Sequence, residues 1–412
     1  MARRVQVLVF VSELIPLYPI YALLFADAGL SGGQISVLFG IWSTVGFVLE
    51  VPSGALADRV PRRYLLVAAE LVRAGGFASW VLQPSFAGFA LGFVLWGASG
   101  AASSGTWEAL LYDELTRYGT SDRYARILGR AESLSAAGAL AGSALATPAL
   151  VLGGYAAAGW ASVVVCLVAA WLASRLPAGV PPAVASRPAA DAPPDAGGPP
   201  GDHGRGDHEP GSHDSGYLAT LRAGVREAVR NRVVGRAVLV AVVLSGVTAV
   251  EEYFALLADD FALSPAVLPL LLLAPAVGYA AGAEVGGHLG ALPSRWTALA
   301  VACGVVVFAA GALVGHPLGF LALAVGFGLL GCGIVVSAAR LQDALTGPRA
   351  TVTSVANVGE EIVALAVFGL FGAASGAVPL PVLCALAVLP SLAIACVVTR
   401  WMPGPRNNKP DQ

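Results

Sequence analysis

The chain has 412 residues, of which 57% are hydrophobic and only 12% are charged, and its formal net charge is −2. A mean hydropathy of +0.74 excludes an ordinary water-soluble domain, in which about a quarter of the residues carry a charge. The five cysteines lie inside apolar stretches and have no spacing typical of a disulfide framework or a zinc site.

Apolar stretches of about 20 residues recur along the whole chain, and each is long enough to cross the roughly 30 Å hydrocarbon core of a bilayer as a helix. Twelve spans, numbered 1 to 12 in chain order, are predicted at about residues 5–27, 34–57, 63–83, 87–114, 125–151, 156–175, 236–258, 265–288, 295–315, 317–342, 350–375 and 379–400. The sequence therefore predicts an all-α membrane protein with twelve transmembrane helices.

Basic residues are distributed unevenly between the connections that join these spans. The connections near residues 30, 85, 154, 260, 316 and 377 contain no Lys or Arg, whereas the alternate connections carry arginines, most densely at Arg59, Arg62 and Arg63. By the positive-inside rule, the arginine-bearing connections and both termini are predicted to be cytoplasmic.

The connection between spans 6 and 7 differs in composition from the rest of the chain. Residues 176–216 are rich in Pro, Gly, Ala and Asp, so they cannot bury enough apolar surface to fold and are predicted to form a disordered cytoplasmic linker. Residues 217–235 place arginines at helical spacing, which predicts an amphipathic helix on the cytoplasmic leaflet. The two pseudo-symmetric six-helix bundles would then be residues 1–175 and 236–402, followed by a cytoplasmic tail at 403–412.

Three histidines recur at five-residue intervals within the predicted linker, at His203, His208 and His213. Metal sites use such side chains, but a segment without fixed geometry cannot hold a ligand set in place. We interpret them as solvated side chains, and we expect neither a metal nor a cofactor.

The two halves of the chain repeat one another at two places. Spans 2 and 8 end with the same residue types at identical spacing, namely Gly54, Leu56 and Arg62 in the first half and Gly287, Leu289 and Arg295 in the second. Span 4 ends with ALLYDEL and span 10 with ARLQDAL, and both fit AxLxDxL. Both repeats lie about 230 residues apart, which predicts a duplicated six-helix bundle.

The stretch GALADRVPRR, residues 54–63, resembles the loop signature of the major facilitator superfamily, in which Gly, Asp and a pair of basic residues lie between the second and third helices. The resemblance extends over the whole chain, with its twelve spans, two halves and long cytoplasmic linker, and the chain resembles the drug and metabolite exporter branch. It implies two bundles that rock about a central cavity and open it alternately to each side of the membrane.

The signature residues are predicted to form a cytoplasmic gate: Gly54, Asp58, Arg59, Arg62 and Arg63. A glycine lets two helices approach closely, an aspartate accepts hydrogen bonds from an arginine or a helix N-terminus, and arginines pair with carboxylates or lipid phosphates. The positive-inside rule alone would also account for the arginines. It does not account for Asp58, because acidic residues contribute little to membrane orientation. We expect Asp58→Asn to leave insertion intact and to impair transport. Glu50, about two turns earlier, is assigned to the same gate.

Carboxylates inside a membrane are costly and mark functional sites. Seven are predicted to bind a coupling proton or the substrate: Glu13, Glu108, Glu132, Glu251, Glu252, Glu360 and Glu361. Glu13 and Glu360 are the first choices, because they lie nearest the middle of the bilayer. A buried carboxylate without a basic partner is readily protonated near neutral pH, so each group suits either proton exchange or a cationic substrate. The alternative for each is a neutral acid that bonds a neighbouring helix, and this is expected for one member of each adjacent pair.

Glu70 and Arg73 lie three residues apart on span 3, and we interpret them as a structural ion pair. In span 5, Gly129, Gly138 and Gly142 match the glycine spacing of the family's antiporter signature, although Pro is missing after the last glycine and span 4 has no arginine of the kind typical of drug antiporters. Four aromatic residues are predicted to line the cavity and to stack on a bulky organic molecule: Tyr18, Tyr21, Trp107 and Tyr253.

These features predict a monomeric, proton-coupled exporter of amphipathic or cationic organic compounds in the inner membrane of a bacterium. Its expected partners are a small-molecule substrate, protons and membrane lipid, and no nucleic acid. One alternative is a proton-coupled uptake permease for a small metabolite. An alternative of another class is a receptor or scaffold that does not transport. An enzyme is not expected, because the spans contain no nucleophile and base at catalytic spacing.

Overall fold

The computed structural model describes residues 1–57, 59–120, 123–178, 226, 231–289, 293–344 and 349–401, and these residues form helices and their connections without any strand. The first half contains α1 (Ala2–Ser12), α2 (Tyr21–Asp27), α3 (Gly32–Ala57), α4 (Arg62–Leu82), α5 (Phe86–Ser103), α6 (Thr106–Arg117) and α7 (Tyr124–Ser174). The second half contains α8 (Arg232–Gly246), a 3₁₀ segment (Val247–Tyr253), α9 (Phe254–Asp259), α10 (Leu268–Leu289), α11 (Ser294–Leu313), α12 (Gly319–Ala344), α13 (Arg349–Ala374), α14 (Leu380–Val388) and α15 (Pro390–Trp401).

Ten helical segments of the described residues are long and apolar enough to cross a membrane. A helix satisfies every backbone N–H and C=O within its own segment, which is what the hydrocarbon core requires of a spanning element. The chain is therefore an all-α, multi-pass integral membrane protein, as the sequence predicted. The count of twelve spans and the division into two six-helix bundles stay predictions.

The ten helical segments differ in number from the twelve predicted spans because of two regions of the chain. α7 has 51 residues, but its backbone is not helical at Gly153 and Gly154, where Gly154 has φ 64°. This left-handed conformation suits glycine, and it coincides with the predicted connection between spans 5 and 6. The region of span 1 is divided into α1 and α2, each too short to be counted, because residues 13–20 leave the α-helix.

Spans 1 and 7 are interrupted at corresponding positions. α2 and α9 follow these interruptions and end at Asp27 and Asp259, and their sequences are related: YALLFAD begins at Tyr21 and YFALLAD at Tyr253. The two stretches lie about 230 residues apart, as do the two repeats predicted above. The sequence pattern alone did not indicate this third repeat, because its residues are common in apolar helices.

The helices of each half pack mainly against one another. α4 contacts α5 and α7, α1 contacts α7, and α12 contacts α10 and α11. The two halves meet where α3 contacts α13, α7 contacts α10, and α2 contacts α9. We call the end of the bundle that carries Arg59, Arg62 and Arg117 the arginine end, and the end that carries Asp27 and Asp259 the opposite end.

Glycines allow close backbone contact at two of these interfaces. A Cβ atom on Gly282 of α10 would lie 1.8 Å from the carbonyl oxygen of Gly328 on α12. A Cβ atom on Gly142 of α7 would lie 2.6 Å from the Ile15 nitrogen, just beyond α1, whereas one on Gly129 would meet no atom within 4 Å. Small residues in such positions let helices approach closely in a membrane.

Several predictions fall on residues outside the described part of the chain. They concern Asp58, His203, His208, His213, the tail at 403–412, and most of the predicted linker and amphipathic helix. Within the predicted amphipathic helix, α8 already begins at Arg232.

Candidate functional site

A cavity of about 450 Å³ lies between the two halves. Its walls are formed by α3 and α5 from the first half and by α8, the 3₁₀ segment and α13 from the second. The lining extends from Trp42 and Phe368 in the middle of the bundle towards Glu50 and Ser354, which lie nearer the arginine end. Helices from both halves therefore contribute to one site.

Five carboxylates line this cavity: Glu50, Glu251, Glu252, Glu360 and Glu361. None of the lining residues that the structure describes is Lys, Arg or His. The structure thus brings together four of the seven predicted carboxylates from two separate elements. Glu50, which the sequence assigned to the gate, lies in the cavity wall instead.

One member of each adjacent pair bonds the other half of the protein. The Tyr21 hydroxyl donates a hydrogen bond to Glu252, and the Ser43 hydroxyl donates one to Glu361. A third bond of this kind joins the hydroxyls of Ser36 and Tyr253 at 2.8 Å. We call these three contacts the cross-half bonds, because each links a residue of the first half to one of the second.

The remaining member of each adjacent pair is Glu251 or Glu360. Neither side chain makes a hydrogen bond or an ion pair with any described residue. Both lie within electrostatic reach of Tyr279 on α10. Glu251 and Glu252 belong to the 3₁₀ segment, whose three residues per turn change the direction of their side chains relative to an α-helix, and such a segment inside a helix often marks a functional hinge.

The aromatic residues of the cavity wall differ from those predicted. Trp42, Phe47 and Phe368 line the cavity, whereas Tyr18, Tyr21, Trp107 and Tyr253 do not. Tyr18 stacks on Trp96 with ring centroids 4.9 Å apart, and Tyr21 and Tyr253 are buried with their hydroxyls in the cross-half bonds. Trp107 packs in an apolar cluster formed by α1, α4, α6 and α7. The predicted tyrosines point into the protein because their hydroxyls have bonding partners there.

Glu13 belongs to a separate charged cluster inside the first half. Glu70 and Arg73 form the predicted ion pair at 2.5 Å and are only 9% and 8% exposed. The Ser12 hydroxyl donates to Glu70 at 2.8 Å, and Arg73 donates to the Tyr18 hydroxyl at 3.3 Å. Glu13 lies just after α1, within electrostatic reach of both Glu70 and Arg73. The cluster thus holds two carboxylates and one guanidinium.

Glu108 and Glu132 also lie apart from the cavity. Glu108 is in the first turn of α6, and Glu132 lies on α7 within its electrostatic reach. One carboxylate oxygen of Glu108 is buried and has no hydrogen-bond partner among the described residues. A role for these two carboxylates in transport stays a prediction.

Two of the predicted gate residues, Arg62 and Arg63, make side-chain contacts at the arginine end. Arg62 forms an ion pair with Asp113 of α6, the aspartate of the first AxLxDxL repeat. Arg63 donates to the Leu176 carbonyl at 3.4 Å and to the Tyr64 hydroxyl at 2.9 Å. The sequence contained the signal for Asp113, since the two motifs repeat together in both halves.

The other described gate residues make fewer contacts. Arg59 is exposed, and a Cβ atom on Gly54 would meet no atom within 4 Å. Among the described residues, no helix approaches Gly54 as closely as expected. In the second half, Arg340 of the second AxLxDxL repeat, near the end of α12, donates a hydrogen bond to the Ser294 hydroxyl at the start of α11. The Arg62–Asp113 pair links the start of α4 to the end of α6 in the same way, so a corresponding pair of helix ends is linked in each half.

The fold and the cavity together define a class of protein. A multi-pass helical bundle with a repeated architecture and a polar cavity between its halves is the design of a secondary transporter. The sequence matches the profile of the Major Facilitator Superfamily over residues 5–378, and the chain belongs to that family. Its members are transporters and not enzymes.

Solved structures of transporters share this fold. A mutant of the nucleoside transporter NupG is similar with a TM-score of 0.74 and 11% identity, over 98% of this chain and 100% of that one. The POT family transporter PepTSo gives 0.66 and 12%, over 97% and 98%. A bacterial homolog of the human lysosomal transporter Spinster, in an inward-facing and occupied conformation, gives 0.65 and 13%, over 97% and 95%. No curated protein sequence matches the chain.

Proposed function

We propose that this transporter exports amphipathic or cationic organic compounds in exchange for protons, as a monomer in the inner membrane of a bacterium. The proposal rests on the composition of the cavity wall, whose described residues include five carboxylates and no basic side chain. Such a wall attracts cations and repels anions, and the attraction is stronger in a cavity than in bulk water because of the lower dielectric constant.

The apolar part of the cavity suits an organic cation better than a metal ion. Trp42, Phe47 and Phe368 provide aromatic faces beside the carboxylates, and small residues leave room for a bulky group. Aromatic faces attract organic cations through their quadrupoles. Among the described residues, no group of three or more His, Cys, Asp or Glu side chains has the arrangement of a metal site.

The same carboxylates could also bind the exchanged proton. Glu251 and Glu360 have no bonding partner among the described residues, so a cation and a proton would compete for them. The Glu13, Glu70 and Arg73 cluster is a second candidate, since its two carboxylates share one guanidinium and the spare negative charge is costly to bury. Proton binding at either place would help to release the cation.

Alternating access would involve the cross-half bonds. The Tyr21–Glu252 and Ser43–Glu361 bonds involve carboxylates of the cavity wall. The Ser36–Tyr253 bond lies nearer the opposite end, while the cavity extends towards the arginine end. If the arginine end is cytoplasmic, as the sequence predicts, this conformation is open to the cytoplasm and closed to the outside. Breaking the cross-half bonds would allow the halves to rock.

The test is a flux measurement with the purified protein in liposomes, using tetraphenylphosphonium as the probe. We expect an imposed pH gradient to accelerate its movement, and we expect Glu251→Gln and Glu360→Gln each to reduce the initial rate at least tenfold. Glu284→Gln is the matched control, because Glu284 is a carboxylate of α10 that is 78% exposed and lies outside the cavity. Movement of the probe that ignores the pH gradient would refute the coupled mechanism.

The alternative within the family is a proton-coupled uptake permease for a small metabolite. It predicts that the probe is not carried and that a neutral or zwitterionic metabolite accumulates inside vesicles when the proton gradient points inwards. The same liposomes distinguish the two functions by the direction of coupled movement.

A further inference from the structure

A second concave surface lies far from the cavity, at the arginine end of the first half. Its volume is about 840 Å³, and its lining includes Arg3, Arg4, Arg63, Arg175 and Trp171. We call it the arginine pocket. It forms where the start of α1, the start of α4 and the end of α7 meet.

The geometry of the arginine pocket is fixed by the C-terminal end of α7. Arg4 donates to the Arg175 carbonyl at 2.9 Å, and Arg63 donates to the Leu176 carbonyl at 3.4 Å. Carbonyls at a helix C-terminus carry a partial negative charge, so arginines are stabilised beside them. Each guanidinium has five N–H donors, and these bonds leave most of them available to a ligand.

The arginine pocket lacks a compensating anion in the described part of the protein. None of Arg3, Arg4, Arg63 and Arg175 forms an ion pair with a described carboxylate. Arg62, by contrast, pairs with Asp113 next to the pocket. Four guanidinium groups around one concavity repel one another, and an oxyanion held between them would remove that repulsion.

One wall of the pocket is apolar and exposed. Trp171 is 55% exposed and Val7 is 42% exposed, and the Arg175 guanidinium lies 5.0 Å from the centre of the Trp171 ring. In a membrane protein, exposed apolar side chains at a helix end face the acyl chains, and Trp is typical of the interface. The pocket therefore presents a positive head region beside a surface suited to lipid tails.

We propose that the arginine pocket binds the phosphate of an anionic phospholipid of the leaflet at the arginine end. The phosphate oxygens accept hydrogen bonds from the guanidiniums, and the acyl chains lie against Trp171 and Val7. The bound lipid joins the ends of α1, α4 and α7 and so stabilises the first half. This site is independent of the proposed substrate and of proton coupling.

The test is the thermal unfolding of the purified full-length protein in a neutral detergent. Phosphatidylglycerol is expected to raise the melting temperature by about 3 °C, a shift that corresponds to a modest ligand stabilisation. Phosphatidylcholine and inorganic phosphate are the comparison ligands. The lipid effect should weaken in high salt, because salt screens exposed charges.

The variant Arg3→Gln/Arg175→Gln should lose the shift caused by phosphatidylglycerol, while Arg295→Gln should retain it. Arg295 is a matched control, because it lies at the arginine end of the second half beside an exposed tryptophan, Trp296, but outside the pocket. If the double variant does not fold, Arg3→Gln alone should reduce the shift by about half.

Three outcomes would overturn the proposal. A double variant that retains the full phosphatidylglycerol shift would show that the lipid binds elsewhere. An equal shift with phosphatidylcholine would show that the charge of the lipid is irrelevant. An equal shift with inorganic phosphate would show that the pocket binds a free anion and not a phospholipid.

Discussion

Arg62 and Asp113 connect two motifs that the sequence repeats in each half. The arginine side chain is 12% exposed and the aspartate side chain 44% exposed, so water screens the pair only partly. An ion pair of this kind contributes about 1 kcal/mol or less to stability. The pair joins the start of α4 to α6 at the arginine end.

A double-mutant cycle measures this contact. We expect Arg62→Gln and Asp113→Asn each to lower the melting temperature by about 2 °C, and the double variant to lower it by no more than either single change. Arg59→Gln serves as the control, because Arg59 is exposed and forms no ion pair with a described residue. Additive losses in the double variant would show that the pair makes no contribution.

Single residues of the cavity were predictable where their chemistry is unusual for their surroundings. Glu251, Glu252, Glu360 and Glu361 could be identified because a carboxylate in an apolar stretch is rare. Tyr21 could not be placed correctly, since its direction depends on where the preceding helix is interrupted. A helical period predicts which face a residue occupies only while the helix continues.

At the scale of helices, the contact between α10 and α12 shows how glycine determines packing. Gly278, Gly282 and Gly286 recur every four residues along one face of α10, and each approaches the backbone of α12. Gly287 lies on another face, where a Cβ atom would meet no described atom within 4 Å. α10 therefore contains three glycines that pack closely against α12 and one glycine, Gly287, that does not.

This difference gives a matched pair of substitutions. Gly282→Ala should lower the melting temperature by several degrees, because its Cβ atom would lie 1.8 Å from the Gly328 carbonyl oxygen and the two helices would have to separate. Gly287→Ala should leave the melting temperature unchanged or raise it slightly, since alanine favours helix by up to about 1 kcal/mol. Equal effects of the two substitutions would contradict the close packing of α10 against α12.

The positions of most helices followed from the lengths of the apolar runs, but their interruptions did not. Pro16 and Pro19 lie within residues 13–20, and proline removes a helical hydrogen bond, so the sequence contained a signal for the break between α1 and α2. The 3₁₀ segment at Val247–Tyr253 contains no proline. Its geometry depends on packing against α13 and α14, which only the folded protein shows.

At the scale of the whole molecule, the two halves meet closely at the end opposite the arginines. A Cβ atom on Gly32, at the start of α3, would lie 3.1 Å from the Cβ atom of Ser375, just beyond α13. A disulfide needs Cβ atoms about 3.5–4.5 Å apart, so a small adjustment would allow one to form here. Such a bond would hold the opposite end closed.

We therefore expect the variant Gly32→Cys/Ser375→Cys to cross-link under mild oxidation and to lose transport, with recovery on reduction. The exposed Cys303 and Cys396 are first replaced by alanine to avoid other disulfides. Gly32→Cys alone is the control and should transport under both conditions. A cross-linked protein that transports at the uncross-linked rate would show that the opposite end need not open.

The proposed exchange of a cation for protons also determines how transport would respond to voltage. One monovalent cation that leaves in exchange for one proton moves no net charge, so the membrane potential neither assists nor opposes it. A divalent organic cation exchanged for one proton moves one positive charge outwards, against about 2.3 kcal/mol for each 100 mV of inside-negative potential. For a substrate of known charge, flux measured in vesicles clamped with potassium and valinomycin thus reports how many protons are exchanged in each turnover.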